Sequence, residues 1–293
     1  MKIRYIKHDA LDFEKWDKLI ESSVCSLIYG YSWYLDGITN GQWDALVYGN
    51  YEAGFPLPWK RKYGLKYVYQ PFFCQQLGLF AKQGFHIPIK YFINSIPNTF
   101  ILVDLNLNVY LGASLKGELK KNYQLDLNKS YDRLYDHYNN DVKNNLSKIS
   151  KANIEFTLDV PVEEIITIHR NSWGALNPGI KENHYLQFKN NCIRATEENC
   201  LVTLGALVEN KLVGVALFFK TPQYLFYIMS GKTIEGKKLG IMHAIVDKAI
   251  QLYANTPLIL DFEGSEIDGV AYFYSKFGSQ VKPYLHYKKY NFI

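Results

Sequence analysis

Residues 224–253 read YLFYIMSGKTIEGKKLGIMHAIVDKAIQLY, and the order of their elements decides the fold. Tyr224 to Met229 is a β-rich run. Ser230 to Gly240 follows as a cationic loop with Gly231, Gly236 and Gly240 among Lys232, Lys237 and Lys238. Ile241, Met242, Ile245, Val246, Ala249, Ile250 and Tyr253 then recur at helical spacing, and Asn255-Thr256-Pro257 stops the helix. A strand end, a glycine-bearing basic loop and a helix N-terminus therefore coincide. That combination suits capture of a pyrophosphate or another anion through backbone N–H groups.

Working outward, Leu201–Val208 and Leu212–Phe219 are strands joined at Glu209-Asn210-Lys211, so a three-strand meander leads into the loop. Leu258-Ile259-Leu260 is a buried strand after the helix, and residues 269–278 form a short aromatic helix. The first half repeats this order. Ile3–Ile6 is a strand, and Phe13, Trp16, Leu19 and Ile20 mark a helix. Trp43–Tyr48 and Glu52–Trp59 pair around Gly49-Asn50. Tyr67–Phe73, Phe100–Leu105 and Tyr110–Leu111 are further strand candidates. The second half opens with a strand at Tyr123–Leu127. One long polar helix is expected over Ser130–Asn153, with Leu134, Tyr138, Val142, Leu146 and Ile149 on its stripe. Ile154–Leu158 reads as a strand, and Val162–Trp173 and the region around Tyr185–Ile193 as helices. The expectation is an α/β fold of two similar domains, residues 1–125 and 126–293, each with a mixed, largely antiparallel sheet flanked by helices. The tail from Tyr284 alternates as a strand that pairs with either domain.

Bulk composition narrows the class. With 48% hydrophobic and 21% charged residues in 293, the chain is globular. A net charge of +5 is too weak to argue for a nucleic-acid partner. Lys60-Arg61-Lys62, between Trp59 and Tyr63, is the densest basic run and reads as a solvated hairpin tip, with a small phosphate-seeking patch as the alternative. Cys25, Cys74, Cys192 and Cys200 have no metal-ligand spacing, so reduced thiols and no metal are expected. No run is apolar enough to span a bilayer, and Met1-Lys2-Ile3-Arg4 enters a strand directly. A cytoplasmic protein is expected.

Three segments carry a resemblance to a known family: YNNDVKNNLSKISKANI at Tyr138–Ile154, DFEGS at Asp261–Ser265 and GVAYFYSKFG at Gly269–Gly278. With the layout of the whole chain they resemble GNAT-superfamily acyltransferases, and the duplication is similar to the tandem Fem-type peptidoglycan aminoacyltransferases. The sharp motifs lie in the second half. Two departures stand out. The GNAT cofactor loop is Gln/Arg-x-x-Gly-x-Gly/Ala, whereas Lys237 to Met242 places Met242 at the last small position. Fem-type enzymes carry Phe-Lys in the last helix, whereas Phe273-Tyr274 matches the acetyl-CoA branch.

The resemblance implies N-acyl transfer from acetyl-CoA or another acyl-CoA to an amine of a small molecule, sugar or peptide. Met229, Ser230, Gly236, Lys237, Lys238, Leu239, Gly240 and Ile241 would hold the donor, with a β-bulge near Ser230. Tyr274 would protonate the departing thiolate. Strand alternation would point Asp261 and Glu263 one way and Phe262 the other, with Glu263 as base. His169 on its helix stripe reads as core or as a substrate contact, and Gln75 and Gln76 as possible cleft residues. Two alternatives stay open: an aminoacyl-tRNA-dependent transferase acting on a cell-wall precursor, and a non-catalytic binding protein on the same fold.

Overall fold

A computed structural model describes residues 2–108, 115–264 and 268–291. The chain divides into unit 1, residues 1–120 with 283–293, and unit 2, residues 121–282. The expected second domain, 126–293, differs from this division at both ends.

Unit 1 contains β1 (Ile3–Ile6), α1 (Phe13–Glu21), α2 (Ser32–Thr39), β2 (Trp43–Tyr48), β3 (Ala53–Lys62), β4 (Leu65–Val68), β5 (Phe80–Ala81), α3 (Ile89–Asn94), β6 (Phe100–Leu107) and β7 (Glu118–Lys120). Asp12 caps α1 by accepting the Lys15 N–H at 3.1 Å. Trp16, Leu19 and Ile20 on that helix are fully buried. The strand expected at Tyr67–Phe73 is instead β4 and ends at Val68; Pro71, which has no N–H to donate, and Phe73, with φ 57°, lie beyond it. The candidate at Tyr110–Leu111 lies outside the described residues.

Unit 2 contains β8 (Tyr123–Asp126), α4 (Tyr131–Asp136), α5 (Asn140–Ile149), β9 (Ile154–Thr157), α6 (Val162–Asn171), α7 (Glu182–Glu197), β10 (Leu201–Val208), β11 (Lys211–Lys220), β12 (Tyr224–Lys232), α8 (Ile234–Leu239), α9 (Met242–Tyr253), β13 (Ile259–Asp261), α10 (Asp268–Ser275) and β14 (Gln280–Val281). The chain then re-enters unit 1 as β15 (Tyr284–Tyr290), which pairs with β6 and β7. The single helix expected over Ser130–Asn153 is two helices. Asn139 is extended, at ψ 148°, and its side chain accepts the Asp141 N–H, starting α5 afresh.

The sheet of unit 1 runs β1-β2-β3-β4-β6-β15-β7, with β5 also on β3. That of unit 2 runs β14-β8-β13-β12-β11-β10-β9. Among the described residues each has one parallel pair, β4 with β6 and β12 with β13, and in each a helix lies in the crossover. The core of unit 2 gathers Ile241, Ile245, Ile250 and Phe277, all fully buried, beneath this sheet.

Candidate functional site

The site begins where a parallel pair comes apart. β12 and β13 are partnered only from Tyr224–Ile259 to Phe226–Asp261. Immediately afterwards Phe218 opposes Tyr227 while Leu217 opposes Met229, so Ile228 is an extra residue. Such a bulge bends its strand and leaves the extra residue's backbone groups outside the ladder. The sequence reading placed it two residues later. Past Asp261 the other strand parts from β12, keeping one further bond to β8, from the Phe262 N–H to the Tyr123 carbonyl at 2.9 Å. The opening is a cavity of about 700 Å³, walled by Tyr227 to Ser230 on β12, by Phe262 to Gly264, and by α6, α9 and α10.

One wall is shaped by a buried carboxylate. Asp261, 1% exposed, accepts the Asn122 amide at 3.0 Å, the Gln124 amide at 2.8 Å and the Glu263 N–H at 2.8 Å. Burial raises its pKa, and these three donors pull it partly back. The last of those bonds folds the chain back on itself, and Glu263 sits at φ 59°, a left-handed conformation uncommon for a long side chain. Strand alternation therefore fails here. Phe262 and Glu263 both line the cavity and Asp261 does not.

Tyr274 stacks on Phe262 with ring centroids 4.9 Å apart and meets Tyr227 edge-on at 6.1 Å. Burial holds its phenol well above the ordinary range, and Tyr227 and Glu263 push it further. The shift favours the protonated phenol, the form that can donate a proton or a hydrogen bond.

The cationic loop is more ordered than its sequence implies. Its centre is α8, capped by Thr233 Oγ1 accepting from the Gly236 N–H at 3.1 Å. The N–H groups of Lys237, Gly240, Ile241 and His243 donate respectively to the carbonyls of Thr233, Lys237, Gly236 and Gly240 at 2.9–3.2 Å. These backbone donors are spent inside the fold. Met229, Ser230, Lys237 and Gly240 line the cavity, whereas Gly236, Lys238, Leu239 and Ile241 do not. Gly240, at φ 70°, ends α8 in the left-handed conformation.

The other two glycines serve packing. A Cβ on Gly231 would stand 2.8 Å from the His169 backbone nitrogen, so the residue lets α6 lie directly on β12. On Gly236 it would stand 2.0 Å from the Val213 carbonyl oxygen, which belongs to the rigid β11 ladder. Gly236→Ala should therefore destabilise the protein by about 2–3 kcal/mol, read by denaturant unfolding. Wild-type stability in that variant would refute the packing role.

Both cavity histidines have a ring nitrogen bonded to a backbone carbonyl. His169 Nδ1 donates to the Ser230 carbonyl at 2.8 Å and His243 Nδ1 to the Gly240 carbonyl at 3.0 Å, since a carbonyl only accepts. Burial lowers both pKa values below the ordinary 6.5. Lys232 lies 4.7 Å over the Trp173 ring, with its pKa lowered by burial and then by repulsion from Lys237. Nothing local in the sequence marks Lys232 and Trp173 as a pair, because they sit on different elements. Gln75 and Gln76 lie in unit 1, where the Asn106 amide donates to the Gln75 carbonyl at 2.9 Å. Among the described residues no group of three or more His, Cys, Asp or Glu is placed to hold a metal ion.

Two mixed, largely antiparallel sheets, each with a helix-bearing crossover between its parallel strands, make this a tandem GNAT-like fold similar to the Fem type. Solved structures agree. FemX matches with a TM-score of 0.71 at 10% identity, over 97% of this chain and 96% of that one. L-PGS from Bacillus licheniformis matches at 0.57 and 11% identity, over 94% and 91%. A tandem GNAT protein from the clavulanic acid biosynthesis pathway matches at 0.53 and 10% identity, over 100% and 99%. At these identities the likeness is one of fold. The sequence matches no protein-family model, and no curated protein matches it.

Proposed function

We propose that unit 2 is an N-acyltransferase moving an acyl group from an acyl-CoA thioester to an amine of a small molecule, sugar or peptide. The observation that carries this reading is the separation of β12 from β13 at the Ile228 bulge, with Glu263 and Tyr274 lining the resulting cavity. The thioester carbonyl lies along the bulge, where a backbone N–H near Met229 faces the developing oxyanion. Glu263 takes a proton from the ammonium of the acceptor, and the free amine attacks the carbonyl carbon. The C–N bond forms, the C–S bond breaks, Tyr274 donates its phenolic proton to the leaving thiolate, and the surplus proton on the new amide nitrogen restores the phenol. Lys237 and Lys232 hold donor phosphates as point charges, in place of the backbone cradle expected from the sequence. A cytoplasmic setting is part of this reading. Among the described residues no helix is long and apolar enough to cross a membrane.

One observation favours a second donor. The loop amides are already bonded within α8 and at the start of α9, which removes the usual pyrophosphate grip. An aminoacyl ester carried on tRNA would need less of that grip and more of the lysines. Melting in the presence of coenzyme A and acetyl-CoA separates the two. At a hundredfold excess over Kd, binding to the native state contributes about 2.7 kcal/mol, an upward shift of about 5–10 °C for a domain of this size. The shift should shrink in Lys237→Glu. No shift at millimolar ligand removes acyl-CoA as donor and leaves the aminoacyl-tRNA and non-catalytic binding readings.

A further inference from the structure

Unit 1 carries an exposed feature that the cavity in unit 2 does not use. β3 and β4 pair from Trp59–Val68 to Lys62–Leu65, and Tyr63-Gly64 forms the two-residue turn between them. Both turn residues have positive φ, 52° and 79°, as a tight hairpin of this hand requires. Asn-Gly or Gly-Gly would meet that requirement without strain. The chain instead places a tyrosine there, and the residue is 93% exposed. Leu65 beside it is 49% exposed. The fold gains little packing from Tyr63 and bears its backbone strain, and it leaves about half of Leu65 in solvent. Both observations point outward.

The sequence on either side of this tip carries charge of one sign. From Ala53 to Val103 the sequence contains no Asp or Glu, while Lys60, Arg61, Lys62, Lys66, Lys82 and Lys90 fall within it. Lys66 is tied to buried Asp44 at 2.8 Å. Lys60, Arg61 and Lys62 are steadied on rings instead, over Tyr69 at 4.2 Å, Trp59 at 6.0 Å and Tyr63 at 5.5 Å. Strand alternation puts Lys60 and Lys62 on one face of the hairpin and Arg61 on the other. A tyrosine and a leucine at the apex of a hairpin flanked by cations on both faces match the chemistry of a bilayer interface: an amphipathic ring at headgroup level, an aliphatic group just below it, and cations on phosphates.

We infer that the β3–β4 hairpin tip is a docking element for an anionic phospholipid surface. A second copy of the chain is a poor occupant, because it would bring the same cations together. RNA would use the cations and the ring but leaves exposed Leu65 without a partner.

The test is co-sedimentation of the full chain with vesicles of phosphatidylcholine mixed with phosphatidylglycerol, against phosphatidylcholine alone. Binding is expected only to the mixed vesicles. It should weaken as salt rises from about 0.1 M to 1 M, which cuts the Debye length from ~10 Å to ~3 Å. Tyr63→Asn suits the turn better than the native residue, so this variant keeps its melting temperature while its vesicle affinity falls about tenfold. Arg61→Glu with Lys62→Glu should lower binding to the level on phosphatidylcholine alone. Equal binding to both vesicle types, or anionic binding untouched by these variants, would overturn the proposal. So would RNA binding that is lost in Tyr63→Asn by a protein that ignores vesicles. Coenzyme A binding does not enter any of these readouts, so the donor assignment stands or falls separately.

Discussion

Glu263→Gln is expected to lower kcat/KM for acyl transfer by about 10²–10⁴-fold, with the melting temperature and the affinity for the donor unchanged. The substitution keeps the shape and the hydrogen-bonding reach of the side chain and removes only its capacity to take a proton. Glutamine tolerates φ near 59° as well as glutamate does, so the turn held by Asp261 survives. The loss should fall on kcat more than on KM, because the charge matters when the amine must be deprotonated and not when the donor docks. Tyr274→Phe should cost less, since a thiolate is a good leaving group even without a proton donor. Retention of wild-type turnover in Glu263→Gln would show that the amine loses its proton elsewhere in the cavity, and the role given to Glu263 would be withdrawn.

What the sequence disclosed and what it hid follow from the range of the interactions involved. The meander β10–β12, the helix α9 and the tandem layout were legible because alternation, helical spacing and turn residues act within a few positions. The break between α4 and α5 was not, because the stripe Leu134, Tyr138, Val142, Leu146 and Ile149 runs straight through it. Both helices feed the same core, and only the Asn139 cap separates them. The glycine loop was found for a partly mistaken reason. Its basic character and its place at the end of a strand were visible. That Gly231 admits α6 and Gly236 admits the Val213 carbonyl depends on residues far away in the chain. Among the candidate site residues, Glu263 and Tyr274 line the cavity with Met229, Ser230, Lys237 and Gly240. Local pattern could not show which of the loop's amides were already bonded, because that depends on α8 being a helix.

Asp261 was the residue most misjudged, and its replacement gives the largest stability effect expected of any single change at the site. Alternation cast it as a companion of Glu263 facing a cleft, whereas its partners Asn122 and Gln124 lie at the opposite end of unit 2's sequence. In Asp261→Ala the Asn122 amide loses its acceptor in a buried setting, and the Gln124 amide and the Glu263 N–H lose theirs in a partly buried one. Each buried unsatisfied donor costs about 1–3 kcal/mol, and removal of a desolvated carboxylate offsets part of that sum. A net loss of about 3 kcal/mol is expected in chemical denaturation. The pH dependence has a definite sign. The folded-state pKa of Asp261 is raised above the ordinary 3.8, so ionisation opposes the fold. Its contribution to stability is full below pH 3.8 and declines as pH rises through the folded value. The deficit of Asp261→Ala should therefore be larger at acid pH and narrow towards neutrality. A deficit that instead grows with pH would mean that the three donors outweigh burial and lower the pKa. A variant as stable as wild type at every pH would remove Asp261 as the clamp that turns Glu263 into the cavity.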